Sequence, residues 1–342
     1  MAAQITPEKP MRTLADLDKE FGKGEITILG QMTNIKVERI STGIPSLDLI
    51  LDGGIPKGRI TEMYGPESSG KTTLCMQIIS ECQKKTKGQN VGFLDVEQAF
   101  DETYAHTLNI DPNRLYFSRP GSGELTFKMI EKLLDLNLDL IVIDSVANMT
   151  PMSEINGEFG DATMGAMARM IGQGLRKITA KVSKKNTAII FINQLRAKIG
   201  GYGNPETTTG GNSLKFYSSL RLDVRRKGKL EKGSGVTKEV IGQTIQVRIM
   251  KNKCGIAFKE AEFDLMYGQG ISVFGNLLET AVNAGVIERA GAYYKFKDIS
   301  IGMGREAAKK YLEENTEVLE EIEKMLGATR DVSEEKFIEA DL

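Results

Sequence analysis

The chain alternates two hydrophobic rhythms. Short unbroken apolar runs recur at Ile60–Tyr64, Val91–Val96, Leu138–Ile143 and Ala188–Ile192. Runs of this length, apolar throughout, mark strands buried on both faces. Between them lie longer stretches whose apolar residues fall three and four apart. Thr72–Lys85 sets Leu74, Ile78, Ile79 and Cys82 on one helical face, and Glu124–Leu136 and Thr163–Lys184 are further helical candidates. Strand and helix in this alternation predict an α/β core, a mostly parallel sheet covered by helices on both faces.

The flanks read differently. Thr13–Phe21 predicts a short amphipathic helix with Leu14, Leu17 and Phe21 on one side, ended by Gly22 and Gly24. Leu220–Val224 and Thr244–Met250 predict two strands added to the far edge of the sheet, separated by a Gly/Lys-rich turn at Lys227–Gly235. Past Tyr267–Gly270 the pattern shifts to short helices, a strand at Tyr293–Phe296 and a Glu-rich helix near Glu313–Met325. The expected organisation is an N-terminal helical arm (1–33), a core (34–269), a small α/β C-terminal domain (270–328) and an acidic mobile tail (329–342).

At 342 residues, 40% hydrophobic and 27% charged, the composition is that of a globular protein rather than a disordered one. The longest apolar stretch, near Leu140–Ile143, is too short to span a bilayer, and Met1–Pro10 is polar and Pro-broken. A cytoplasmic protein without a membrane segment is expected. Cys75, Cys82 and Cys254 show no paired spacing, so a disulfide scaffold is excluded and the first two predict buried small hydrophobes. The net charge of -1 hides a polarity: residues 196–229 carry eight Lys/Arg against two acids, and residues 305–342 six against twelve. A basic centre with an acidic tail suits a regulated polyanion binder, and equally an ordinary solvated face beside an acidic terminal helix.

The chemistry is concentrated around Gly65-Pro66-Glu67-Ser68-Ser69-Gly70-Lys71-Thr72, which fulfils G-x-x-x-x-G-K-[ST] directly after an apolar strand and before an amphipathic helix. The glycines let backbone N–H groups turn inward around phosphate oxygens. Lys71 brings positive charge near the outer phosphates, Thr72 offers its hydroxyl to Mg²⁺, and the helix N-terminus adds its partial charge. Asp144 ends the run Leu138–Ile143, where a carboxylate for the metal shell belongs. Glu97 closes another strand and can reach a water in line with the γ phosphate; Asp95, two residues earlier on the same face, competes for that role. A further strand ends in Asn193-Gln194, whose neutral amide can meet the γ phosphate without charge repulsion. It leads into Arg196–Gly211, rich in Gly and with Thr207-Thr208-Thr209, which predicts a long flexible loop. A phosphate sensor feeding a basic-flanked loop is what coupling ATP to a polymer ligand requires.

With these residues in view the chain resembles the RecA-type DNA strand-exchange recombinases of bacteria and their phages, from about Phe21 to beyond Met325. The shared stretches are GPESSGKTT (Gly65–Thr73), LIVIDSVA (Leu140–Ala147), NPETTTGGN (Asn204–Asn212), LKFYSSLRLDVRR (Leu214–Arg226), KNK (Lys251–Lys253) and AEFDLMYGQGI (Ala261–Ile271). The resemblance implies helical filaments on single-stranded DNA, ATP and Mg²⁺ at subunit interfaces, and exchange of that strand into duplex DNA, with a repressor and loader proteins as further partners. It implies that Gly65–Thr73 hold phosphates, that Thr72 and Asp144 hold Mg²⁺ through water, and that Glu97, rather than Asp95, activates water. Asp101 and Tyr104 would contact adenine, and Gln194 would sense the nucleotide. Ile155–Met164 and Leu195–Thr209 would be the DNA loops, with Met164, Arg169, Arg176, Arg196, Lys198, Thr207, Thr208, Thr209, Gly210, Gly211 and Asn212 as the DNA contacts. Lys251 and Lys253, which alone would read as a solvated strand edge, would reach the neighbouring subunit's γ phosphate. The N-terminal helix would become the arm that docks on the next subunit.

The sequence departs from that pattern at Gln98, where a histidine commonly follows the glutamate, at Ala257, where proline is common, and at Gly200–Gly203, one residue short with Tyr202 in place of a bulky apolar residue. Two other readings share the ATP site. A hexameric helicase or motor would keep the loop, Asp144 and the glutamate but lack NPETTTGGN and the Lys251/Lys253 pair. An ATP-switched filament scaffold would not need Glu97. A small-molecule kinase would need a lid over an acceptor pocket, and nothing in the chain resembles one.

Overall fold

A computed structural model describes residues 13–23, 25–28, 37–85, 91–158, 165–197, 206–233 and 237–327, in two compact units, Met1–Val37 and Glu38–Leu342. The expected tail, 329–342, lies outside the described residues. The first unit holds one helix, α1 (Leu14–Phe21), closed by a capping box in which the Thr13 hydroxyl accepts from the Asp16 N–H and the Asp16 carboxylate accepts from the Thr13 N–H. None of its side chains is buried, and Phe21 is 55% exposed.

The second unit opens with a two-stranded ribbon, β1 (Arg39–Ile40) and β2 (Ile55–Pro56), around α2 (Pro45–Ile50). The core then runs β3 (Ile60–Gly65), α3 (Lys71–Lys85), β4 (Val91–Asp95), α4 (Glu102–Thr107), β5 (Leu115–Ser118), α5 (Gly123–Asp135) and β6 (Leu140–Asp144). It continues with α6 (Met152–Ile155), α7 (Ala166–Lys185), β7 (Ala188–Ala197), β8 (Glu206–Thr208), α8 (Ser213–Tyr217), β9 (Leu220–Lys232), β10 (Glu239–Asn252), β11 (Glu260–Met266) and β12 (Gly270–Ile271). In the main sheet the order is β12-β11-β10-β9-β3-β7-β6-β4-β5, with β8 paired to β7 alone. Strands β9, β3, β7, β6, β4 and β5 are mutually parallel, and β10, β11 and β12 extend the sheet antiparallel.

Side-chain alternation explains why the central strands are apolar at every position. Leu140, Val142, Ile190 and Ile192 face one core with Leu74, Ile78 and Ile79 of α3; Ile141, Ile143, Ile189 and Phe191 face the other with Ile130 of α5 and Leu175 of α7. Full burial of each such side chain stabilises by about 1.5–3 kcal/mol. A third core forms beyond β12, where α9 (Val273–Asn283), the antiparallel strands β13 (Glu288–Ala290), β14 (Tyr293–Phe296) and β15 (Ile299–Met303), α10 (Arg305–Glu314) and α11 (316–327) enclose Leu278, Phe296, Leu312 and Ile322. Among the described residues no helix is long and apolar enough to cross a membrane.

The structure corrects three local expectations. The Gly/Lys-rich stretch at Lys227–Gly235 is not a turn at its start: β9 runs to Lys232 and pairs with β10 as far as Lys232↔Glu239. The Glu-rich helix begins at 316 rather than Glu313, because Asn315, with φ -121° and ψ 79°, separates α11 from α10. The loop from Arg196 begins and ends as strand, since Leu195↔Thr208, Arg196↔Thr207 and Ala197↔Glu206 close a β-hairpin.

Candidate functional site

Parallel strands bring their carboxyl ends to one edge, and register decides which residues meet there. Gly65 is level with Gln194, and Asp95 with Asp144. The phosphate loop therefore leaves β3 beside the amide that ends the apolar part of β7 and near the carboxylates ending β6 and β4. Together Glu67–Thr73, Glu97, Tyr104, Asp144, Ile192 and Gln194 line an open cleft of about 390 Å³.

Two backbone features shape the loop. Ser68 and Gly70 have φ of 56° and 87°, so successive N–H groups turn toward the cleft. Gly65 passes so close to β9 that a Cβ there would lie 2.0 Å from the Val224 carbonyl oxygen, which only glycine permits. The Lys71 ammonium donates to the carbonyls of Pro66 (2.6 Å) and Gly65 (3.2 Å), and its burial pulls its pKa down.

The Thr72 hydroxyl donates to Asp144 Oδ2 at 2.7 Å, while Asp144 Oδ1 is buried with no hydrogen-bond partner. Burial, with smaller contributions from Glu97 and Asp95, pushes Asp144 up to about 6, against the lowering effect of the Thr72 bond and Lys71. A hydroxyl and one under-partnered carboxylate suit Mg²⁺, which takes few protein ligands and fills its shell with phosphate oxygens and water. Among the described residues no group of three acidic, His or Cys side chains forms a metal cage.

Asp95 and Glu97 occupy different surroundings. Asp95 is buried and its oxygens accept from the Ala99 N–H (3.0 Å), the Phe100 N–H (3.2 Å) and Arg119 Nε (3.0 Å). That carboxylate folds the turn after β4. Glu97, exposed and on the cleft lining, has its N–H anchored to the Asp144 carbonyl at 2.9 Å, which leaves its side chain at the cleft. The Tyr104 hydroxyl lies 3.4 Å from Thr73 Oγ1 at the cleft rim; Asp101 instead caps α4, accepting from the Tyr104 N–H at 3.1 Å, and does not line the cleft.

Five lining residues were not legible as site residues in the sequence: Ile192, read only as part of a strand, and Gln243, Leu265, Tyr267 and Gly268. Gln243 Nε2 donates to the Ser68 carbonyl at 3.2 Å and so braces the loop from β10. Its phase with Ile245, Val247 and Ile249 marks Gln243 as inward-facing but does not say what it faces.

The expected DNA contacts gather on an adjoining surface. Arg169 and Arg176 project from one exposed stripe of α7, seven residues apart. Gly210 and Gly211, with φ of 85° and 76°, pack on the same helix: Cβ atoms there would lie 2.4 Å from Ile171 Cδ1 and 2.9 Å from Ala168 Cβ. Arg196 is exposed on β7, Thr207 and Thr208 lie on β8, and Asn212 is exposed ahead of α8. Met164 and Lys198 lie outside the described residues. The hairpin is pinned at several points: Arg225 pairs with Glu206 at 2.6 Å, Lys215 Nζ donates to Thr207 Oγ1 at 3.0 Å, and the Thr209 N–H donates to the Gln194 carbonyl at 3.3 Å. Lys251 and Lys253 do not join the cleft of their own chain. Lys251 Nζ donates to the carbonyls of Lys215 (2.7 Å) and Phe216 (3.1 Å), and Lys253 is exposed.

Residues 10–272 match the RecA N-terminal domain family and residues 275–329 the RecA C-terminal domain family. Protein RecA of Campylobacter hominis is 50% identical over 313 residues, covering 90% of this chain and 88% of that protein. Protein RecA of Nitratiruptor is 50% identical over 314 residues (91% and 90%), and that of Thioalkalivibrio sulfidiphilus 46% over 317 residues (92% and 91%). Similarity at this level across both domains decides the matter: the chain belongs to the RecA family.

Proposed function

We propose that the chain is an ATP-dependent DNA recombinase that polymerises on single-stranded DNA and exchanges that strand into homologous duplex, hydrolysing ATP where two protomers meet. The observation that carries this reading is the continuity of β7. One strand presents Gln194 to the phosphate cleft and, beginning at the next residue, pairs with β8, whose chain runs on to Gly210 and Gly211, packed on the helix α7 that carries Arg169 and Arg176. A ligand on the cleft and a polyanion on the hairpin thus share one stiff element.

The residues divide the work. Lys71 exchanges its loop carbonyls for phosphate oxygens, and the inward N–H groups of Ser68–Gly70 hold the remaining charge. Thr72 and Asp144 would hold Mg²⁺, through water, and the ion would supply positive charge toward the phosphates. Glu97 orients the attacking water and takes its proton, while Asp95 keeps the turn that carries it. Gln194 hydrogen-bonds the γ phosphate. Lys251 and Lys253 face the next protomer's cleft, which makes turnover depend on a neighbour and hence on filament growth. The domains proposed are the arm 1–33, the core 34–269, the C-terminal domain 270–328 and the acidic tail 329–342. DNA-stimulated turnover tests the reading. ATP hydrolysis by the full chain is expected to be slow alone and to rise strongly with saturating single-stranded DNA; unchanged turnover sinks it.

A further inference from the structure

Three residues before the phosphate loop, β3 carries a carboxylate that the ATP chemistry does not use. Glu62 is 0% exposed, between β7 and β9. Each of its oxygens takes a partner from a different neighbouring strand: Oε1 accepts from Asn193 Nδ2 at 2.9 Å, and Oε2 accepts from Arg221 Nε at 2.6 Å.

Both partners lead to functional segments. Asn193 precedes Gln194, and its Oδ1 accepts the Gln194 N–H at 2.9 Å. The same Nδ2 that meets Glu62 also donates to the Thr209 carbonyl at 3.0 Å, where the hairpin returns. On the other side Arg221 stacks over the Tyr64 ring at 4.7 Å and is level with Lys251 in the β9–β10 register. Lys251 holds the carbonyls of Lys215 and Phe216, and Lys215 reaches back to Thr207 on the hairpin. The contacts close a ring from the γ-phosphate amide, through the hairpin and α8, to Lys251. Glu62 is its hub.

A structural pin would be an economical explanation only if the charge were the best filler for the site. Buried ion pairs are often matched or surpassed in stability by apolar residues of similar volume, so stability alone does not call for Glu62 and Arg221 here. What the carboxylate supplies, and an apolar residue does not, is fixed direction toward two strands at once.

We propose that Glu62 is a positioning residue that transmits occupancy of the phosphate loop to the β7–β8 hairpin and to the Lys251 segment; this rests on the recombinase reading above. Movement of Gln194 toward phosphate carries Asn193, and the shared carboxylate passes that shift to Thr209 and to Arg221.

The test measures a gain: the factor by which a non-hydrolysable ATP analogue tightens binding of the full-length protein to a labelled oligo-dT, followed by fluorescence anisotropy. A wild-type protein with no gain overturns the recombinase reading itself. With a wild-type gain established, Glu62→Leu combined with Arg221→Met leaves no unpaired buried charge and is expected to lower the gain about tenfold. Analogue affinity and nucleotide-free DNA affinity should stay within about threefold of wild type. Glu62→Gln keeps an acceptor for Asn193 but loses the charge facing Arg221, and is expected to lower the gain about threefold. A gain unchanged in either folded variant, even with a lowered Tm, makes Glu62 a structural pin and overturns the proposal.

Discussion

Asp144 holds its place at a cost. One oxygen takes the Thr72 hydroxyl, the other is buried with no partner, and the carboxyl is pushed up to about 6 chiefly by burial. An unpaired buried acceptor costs about 1–3 kcal/mol. Because the folded chain holds this proton more tightly than the unfolded chain, whose carboxyl titrates near 3.8, the group favours folding most strongly in acid. That contribution is lost as pH rises from about 4 to about 6 and stays lost above. Asp144→Asn is therefore expected to stabilise the nucleotide-free protein by ~1–3 kcal/mol at pH 8, read as a raised Tm, while Mg²⁺-dependent ATP hydrolysis collapses. Wild-type affinity for Mg²⁺–ATP should weaken as pH falls through about 6, the proton displacing the ion. Glu97→Ala should behave differently. It is expected to bind nucleotide and DNA normally but to hydrolyse ~10²–10⁴-fold more slowly, leaving filaments that do not disassemble. Loss of nucleotide binding in that variant would show Glu97 to be a structural acid.

At the scale of elements, the chain leaving β8 packs closely on α7 because Gly210 and Gly211 leave no room for a side chain between them. Gly210→Val places a β-branched residue at φ 85° and a Cβ 2.4 Å from Ile171 Cδ1. It is expected to cost about 1–3 kcal/mol of stability and to weaken DNA binding at least tenfold, with ATP affinity nearly unchanged. Equal losses of both affinities would place the glycine in the nucleotide site instead. This scale also shows what the sequence made legible. The phosphate loop, Asp144 and Gln194 could be read because each sits within a few residues of a strand whose burial is written as an apolar run. Gln243 and Tyr267 could not, since they reach the cleft only through β9–β10–β11 pairing, a tertiary choice that local pattern leaves open. Spacing alone left Asp95 and Glu97 level and only the family resemblance favoured Glu97; the Ala99 and Phe100 N–H groups that occupy Asp95 are a tertiary detail no local pattern carries. The extra length of β9 was hidden for a simpler reason: beyond Val224 the strand is mostly solvent-facing, so the apolar signal stops before the hydrogen bonding does.

For the whole molecule the decisive fact is the separation of Lys251 and Lys253 from the cleft that Lys71 and Asp144 build in the same chain. Burial and the nearby charges of Lys253 and Arg221 already lower the Lys251 pKa, so an incoming phosphate would relieve crowded positive charge. Head-to-tail assembly can bring that lysine to the cleft of the next copy, since a heterologous contact that does not close generates a filament. A complementation experiment separates this from a lysine acting on its own chain. Lys251→Ala keeps Glu97 but donates no ammonium, and Glu97→Ala donates the ammonium but lacks the carboxylate proposed to orient water. Each alone should hydrolyse little on single-stranded DNA. In a random equimolar mixture, half of the protomers at each seam bring Glu97 and half of their neighbours bring Lys251. About a quarter of the seams are then complete, and DNA-stimulated hydrolysis should return to about a quarter of wild type. A mixture as inactive as its components would mean that every lysine serves only its own chain, and the filament would lose its part in the chemistry.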